Sequence, residues 1–192
     1  MGNMARHNVE VGMQALEDKD ENKIKYVLEH EPVIDALEED ITRYLTKMSE
    51  KEMGAELSAM HTRLLHACTD IERIGDHGEA LAKDARRMFE DDVKFSEEAK
   101  TELRALGELV MQASGKAMEA LANNDKVLAQ EAWDICRQVK KAQKEIRKNH
   151  IVRLNEKRCD PVAGFMMMEI LINLKRVSDH SKNISQIVLG IF

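Results

Sequence analysis

One eight-residue stretch that occurs twice constrains this 192-residue chain more than any other feature. In the first half it reads Asp70-Ile71-Glu72-Arg73-Ile74-Gly75-Asp76-His77; 103 positions later it reads Asn173-Leu174-Lys175-Arg176-Val177-Ser178-Asp179-His180. Arg, Asp and His coincide, and the apolar positions between them match in kind. Both copies lie inside apolar patterns of helical period, so the chain reads as two related halves that place their charged groups at the same structural position. The copies differ where Glu72 faces Lys175.

The periodicity predicts six helices. The first covers residues 1–17. Asp18-Lys19-Asp20-Glu21 forms a break and a cap, with Glu21 three residues after Asp18. A second helix runs from about 20 to 48 on Ile24, Val27, Ile34, Leu37, Ile41, Leu45 and Met48, with a kink expected at Pro32. Ser49-Glu50-Lys51-Glu52 reads as a capping box opening a third helix, whose stripe passes through Leu57, Met60, Leu64, Cys68, Ile71, Gly75, Gly78 and Ala82 to Phe89. Gly75 and Gly78 sit on the packing face, where missing side chains let a neighbouring helix come close. A polar linker follows from Glu90 to Phe95. Ser96 caps a fourth helix, Asn123-Asn124-Asp125 separates it from a fifth, and Asp160-Pro161 starts a sixth. The expected fold is all-α, two tandem three-helix bundles over residues 1–92 and 96–192, with a shared core.

Composition narrows the function. Two prolines, nine glycines and seven aromatics argue for long helices over sheets, and a net charge of −6 suits a metal cation or a basic partner better than nucleic acid or an anionic membrane. Cys68, Cys136 and Cys159 form no C-x-x-C, which points to neither a disulfide framework nor a thiolate zinc site and fits a reducing, cytoplasmic protein. Neither a membrane-spanning apolar run nor a signal-peptide core is present, so no membrane insertion is expected.

At 100° per residue, Glu72 and Asp76 share one flank of the third helix's apolar stripe, and Glu31 and Asp35 repeat the i,i+4 spacing on the second helix beside Ile34. Antiparallel packing of these helices lets all four carboxylates face one another. Carboxylates at i and i+4 repel, and two remedies are open. One is a hard or borderline cation such as iron, manganese, magnesium or zinc; the other is neutralisation by Arg73 and nearby lysines in surface ion pairs. His77 lies further round the helix and reads as solvated or ion-paired. No histidine has a Glu three residues before it, which excludes the ferritin-like di-iron signature. Neither a glycine-rich phosphate loop nor a nucleophile–base pairing is present, so the chain reads as a non-enzyme. Aligning Ile146 on Ile41 puts Cys136 and Lys140 where Glu31 and Asp35 stand. The expectation is that ammonium groups fill the cation's place in the second half, with Lys175 paired to Asp179.

The doubled segment resembles the PhoU family of regulators of bacterial phosphate uptake. Asp70 to His77 is similar almost residue for residue to the family's first copy. Arg176 to His180, with Asn183-Ile184, is similar to its second, and Glu31, Asp35, Leu37 and Glu38 to its upstream helix. The segment from Val33 through Thr46 most resembles the cytoplasmic PhoU-like domain attached to sodium/phosphate cotransporters. The resemblance implies binding of a divalent or trivalent metal ion by Glu31, Asp35, Glu72 and Asp76, a homodimer, and a phosphate transporter or its membrane domain as partner, at the inner face of the cell membrane. Ala80 departs from the family Asn and Lys175 from the family Glu. A purely structural adaptor without metal and a metal-dependent phosphatase are the alternative functions.

Overall fold

The computed structural model describes residues 1–49 and 53–191, and every regular element among them is a helix. These are α1 (Gly2–Asp18), α2 (Glu21–Ser49), α3 (Ala55–Glu90), α4 (Glu97–Asn123), α5 (Lys126–Asn155) and α6 (Pro161–Leu189). The caps explain most boundaries. Ser96 Oγ accepts from the Ala99 N–H, Asp125 Oδ1 from Val127 and Leu128, and Asp160 Oδ1 from Val162 and Ala163, with Pro161 opening α6. Each bond satisfies an amide that the helix's first turn leaves without a partner. Two starts differ from expectation. Asp20, not Asp18, caps α2, accepting from the Asn22 N–H at 2.9 Å, because Lys19 takes the left-handed conformation that ends α1. The box at Ser49–Glu52 has three of its residues outside the described ones; Ser49 itself ends α2, and Gly54 precedes α3 without a side-chain cap. α2 runs unbroken through Pro32, whose ring is exposed.

Helices α3 and α6 lie antiparallel at the centre. Each packs on the two other helices of its own half, α1 also touches α4, and α2 and α5 lie outermost. One hydrophobic cluster takes Ile34, Ile74 and Leu81 from the first half with Leu106, Met167, Ile170 and Leu174 from the second, so the two halves share a core.

The repeated motif supplies the polar part of that junction. His180 Nδ1 donates to Asp70 Oδ1 at 2.8 Å, and His77 Nδ1 to Asn173 Oδ1 at 3.2 Å. Asp70 and Asn173 hold the same position in the two copies, as do His77 and His180, so the contacts are related by the internal pseudo-twofold. The two rings stack at 5.6 Å. Asn183 donates a second bond to Asp70, and Asn173 donates to Asp84. His77 is therefore a half-buried interface residue, not the solvated or ion-paired side chain expected. Burial, above all, pushes its pKa below the ordinary value, with the Asn173 bond opposing and His180 reinforcing. Spacing within one helix carries no sign of a partner 96 residues away.

The apolar stripes continue past the core. Ile41, Tyr44 and Met48 on α2 and Leu57, Met60 and Leu64 on α3 are exposed. The cause is length: α1 has 17 residues against 29 and 36, and Ala5, Asn8 and Gly12 lie against the α3 stretch from Gly75 to Ala82. Nothing from α1 reaches the far end of the α2–α3 hairpin.

Candidate metal centre

Close packing of α2 on α3 builds the site. Ile34 seats against Gly75, where an added Cβ would lie 3.1 Å from Ile34 Cδ1. This brings the flanks of both helices together. One carboxylate oxygen each from Glu31, Asp35 and Asp76 lies within 4.8 Å of the others, and this is the one such acidic group among the described residues. Glu72 stands beside it, outside that radius. Arg73 bridges from the solvent side, with Nη1 2.9 Å from Asp76 and Nε 3.4 Å from Glu72.

Crowded carboxylates cannot all be charged at ordinary cost, and the structure registers this. Glu31 is pushed up to about 7, first by burial, then by a shared hydrogen bond with Asp35 and the charges of Asp35, Glu79 and Asp76. Burial also raises Glu72, with Asp76 adding to the rise and Arg73 opposing it. A cation relieves what protonation of Glu31 and the Arg73 bridge relieve in part. The donors are oxygens alone, which fits a hard or borderline ion. Sequence reading missed Glu79, one turn beyond Asp76 and paired with Lys83 at 2.6 Å. Its i,i+3 spacing from Asp76 was the available signal.

The second half carries a different arrangement at the same places. Cys136 faces Asp179 and Lys182 and donates to the Ser178 carbonyl, as Glu31 faces Asp76 and Glu79. Lys175 pairs with Asp179 as expected. Lys140, at the place of Asp35, is exposed like Asp35 and makes no ion pair among the described residues.

Fold and site together define a class: an internally duplicated six-helix protein with, among the described residues, a carboxylate cluster in its first repeat and none in its second. A family model, the PhoU domain, matches residues 1–85 and 103–188, and the chain belongs to the PhoU family. Among its relatives are a phosphate-specific transport system accessory protein PhoU homolog of Pseudomonas aeruginosa, 25% identical over 98% of this chain and 78% of that protein, and PhoU homolog 1 of Thermotoga maritima, 26% identical over 93% and 77%. The crystal structure of PhoU from Pseudomonas aeruginosa shares the fold with a TM-score of 0.92 at 23% identity, covering 100% of this chain and 91% of that one. The phosphate transport system regulatory protein PhoU from Streptococcus pneumoniae does so at 0.87 and 18%, covering 99% and 88%.

Proposed function

We propose that this chain is a non-catalytic, metal-binding regulator of phosphate transport that acts through protein contacts at the cytoplasmic face of a transporter. The names of its relatives support the transport role. The observation that carries the metal reading is the convergence of Glu31, Asp35 and Asp76 from two helices, with Glu31 pushed up to about 7. These three would hold the ion, and Glu72 would complete the set once Arg73 releases it. Iron, manganese, magnesium and zinc suit the donors. The bound ion would supply positive charge that braces α2 against α3, or an open position for phosphate. Free-standing action on a phosphate-specific transport system agrees with the relatives' names better than attachment to a sodium/phosphate cotransporter, and assembly as a homodimer belongs to the same reading.

A purely structural adaptor is the second reading, favoured by Arg73, which already pairs with both Glu72 and Asp76. Thermal denaturation separates the two. Ligand at 100 times its Kd adds about 2.7 kcal/mol, which for a chain of this size raises Tm by roughly 5–10 °C. Chelated protein titrated with Mn2+, Fe2+, Zn2+ and Mg2+ should show that rise with at least one ion, and Asp76→Asn should lose it. No rise with any ion supports the adaptor.

A further inference from the structure

The net charge of −6 hides a strong asymmetry. Residues 1–95 carry 13 Lys and Arg against 22 Asp and Glu, a net of −9; residues 96–192 carry 16 against 13, a net of +3. Much of the excess lies on one helix. Arg137, Lys140, Lys141, Lys144, Arg147 and Lys148 are all exposed on α5. At 100° per residue they fall within an arc of about 120°, clear of the arc that carries the buried positions Ala132, Cys136, Val139, Ile146 and His150. The stripe is roughly 17 Å long at 1.5 Å per residue. Arg137 pairs with Asp134 in its own helix; the other five make no ion pair among the described residues. Glu145 is the one acid between Arg137 and Asn155. Ile151 and Val152, exposed by 47% and 43%, continue the same stripe.

The fold does not require positive charge along the whole stripe. α2 plays the part of α5 in the other repeat, and there Asp35 and Glu39 stand where Lys140 and Lys144 stand. Positive charge at Lys140 and Lys144 is therefore not demanded by the repeat, whereas Arg43 keeps a cation at the place of Lys148. We propose that the outer face of α5 is a peripheral docking surface for an anionic lipid bilayer. Charge complementarity selects the partner class. Four of the six cations are lysines, point charges on flexible stems that suit a diffuse layer of headgroups better than paired carboxylates in fixed geometry. The apolar residues at the end of the stripe fit the headgroup boundary, where a basic face beside exposed apolar side chains settles. The first repeat, at −9, turns away from a negative surface and so orients the molecule with α5 inward. This face is separate from the metal reading and does not depend on it.

Vesicle flotation tests the proposal on the full chain. Phosphatidylcholine vesicles containing 30% phosphatidylglycerol should bind the protein at 50 mM NaCl and release it at 300 mM, and phosphatidylcholine alone should not bind it. Each lysine removed should weaken partitioning about fivefold, so Lys140→Gln, Lys144→Gln and Lys148→Gln together should weaken it on the order of a hundredfold. The triple variant should keep the wild-type melting temperature and circular dichroism, and Asp76→Asn should bind vesicles as wild type does. Equal partitioning to neutral and anionic vesicles overturns the proposal, as does undiminished binding of the folded triple variant. So does capture of polyglutamate or a DNA duplex by the stripe without vesicle binding.

Discussion

Gly78 is where α3 lets α1 come close, and its replacement by alanine has a calculable result. An added Cβ would lie 2.8 Å from Asn8 C and 2.8 Å from Val9 N. Both are backbone atoms, so no rotamer change relieves the contact, and α1 must shift bodily. A Cβ added at Gly12 on α1 would likewise lie 2.8 Å from the Gly78 carbonyl, so the two backbones are close on both sides of the contact. Overpacking of this kind costs about 1–3 kcal/mol. Against it stands a gain of about 1 kcal/mol in helix propensity, since Gly78 has an ordinary helical φ. The net is a loss of about 0–2 kcal/mol, or up to roughly 8 °C in Tm for a chain of this length. Gly75→Ala is the internal control. There the nearest atoms are Ile34 methyls at 3.1 and 3.3 Å, which can move, so the propensity gain should leave stability at or slightly above wild type. Urea denaturation of both variants decides the matter. Gly78→Ala matching or exceeding Gly75→Ala in stability would refute the reasoning.

Arg153, buried against Glu102 at 2.6 Å, should lose its counter-ion in Glu102→Ala, at a cost on the order of 3 kcal/mol read by the same denaturation. Asp70→Ala leaves the His180 and Asn183 donors between the repeats without an acceptor and should destabilise by about 2 kcal/mol, seen as faster hydrogen exchange along α3 and α6. The pH profile in chelator has opposing contributions from buried carboxyls and buried histidines. Glu31 has a folded pKa of about 7 against 4.5, so the native state holds a proton the unfolded state releases, and stability should fall as pH rises from about 4.5 to about 7. Glu31→Gln should flatten that limb. His77 and His150, both lowered mainly by burial, contribute stability present above about 6.5 and lost as pH falls through their folded values; His150→Leu should soften that acid limb.

Much of the fold is legible in the sequence because its boundaries are chemical. Ser96, Asp125 and Asp160-Pro161 each combine a side-chain acceptor with a following apolar period, and each caps a helix. Asp18 and Asp20 offer the same chemistry two residues apart, and only the left-handed turn at Lys19 chooses between them. Periodicity also predicts burial for Leu57 and Met60, which are exposed, because a stripe records which face is apolar and not whether a third helix is long enough to cover it. The carboxylates fare better. Glu31, Asp35 and Asp76 are found together because i,i+4 spacing on antiparallel neighbours nearly dictates it. The histidines were illegible as an interface, since each one's partner lies in the other repeat. The basic stripe was concealed by averaging charge over the whole chain.

The central claim is that the first repeat alone holds a metal ion. Elemental analysis after exhaustive chelation and reloading with Mn2+ tests it most directly, on the wild type and on Glu72→Ala with Asp76→Ala. The account predicts metal bound by the wild type and lost from the folded double variant, with no equivalent site surviving in the second repeat. Unchanged metal content in that variant would contradict it.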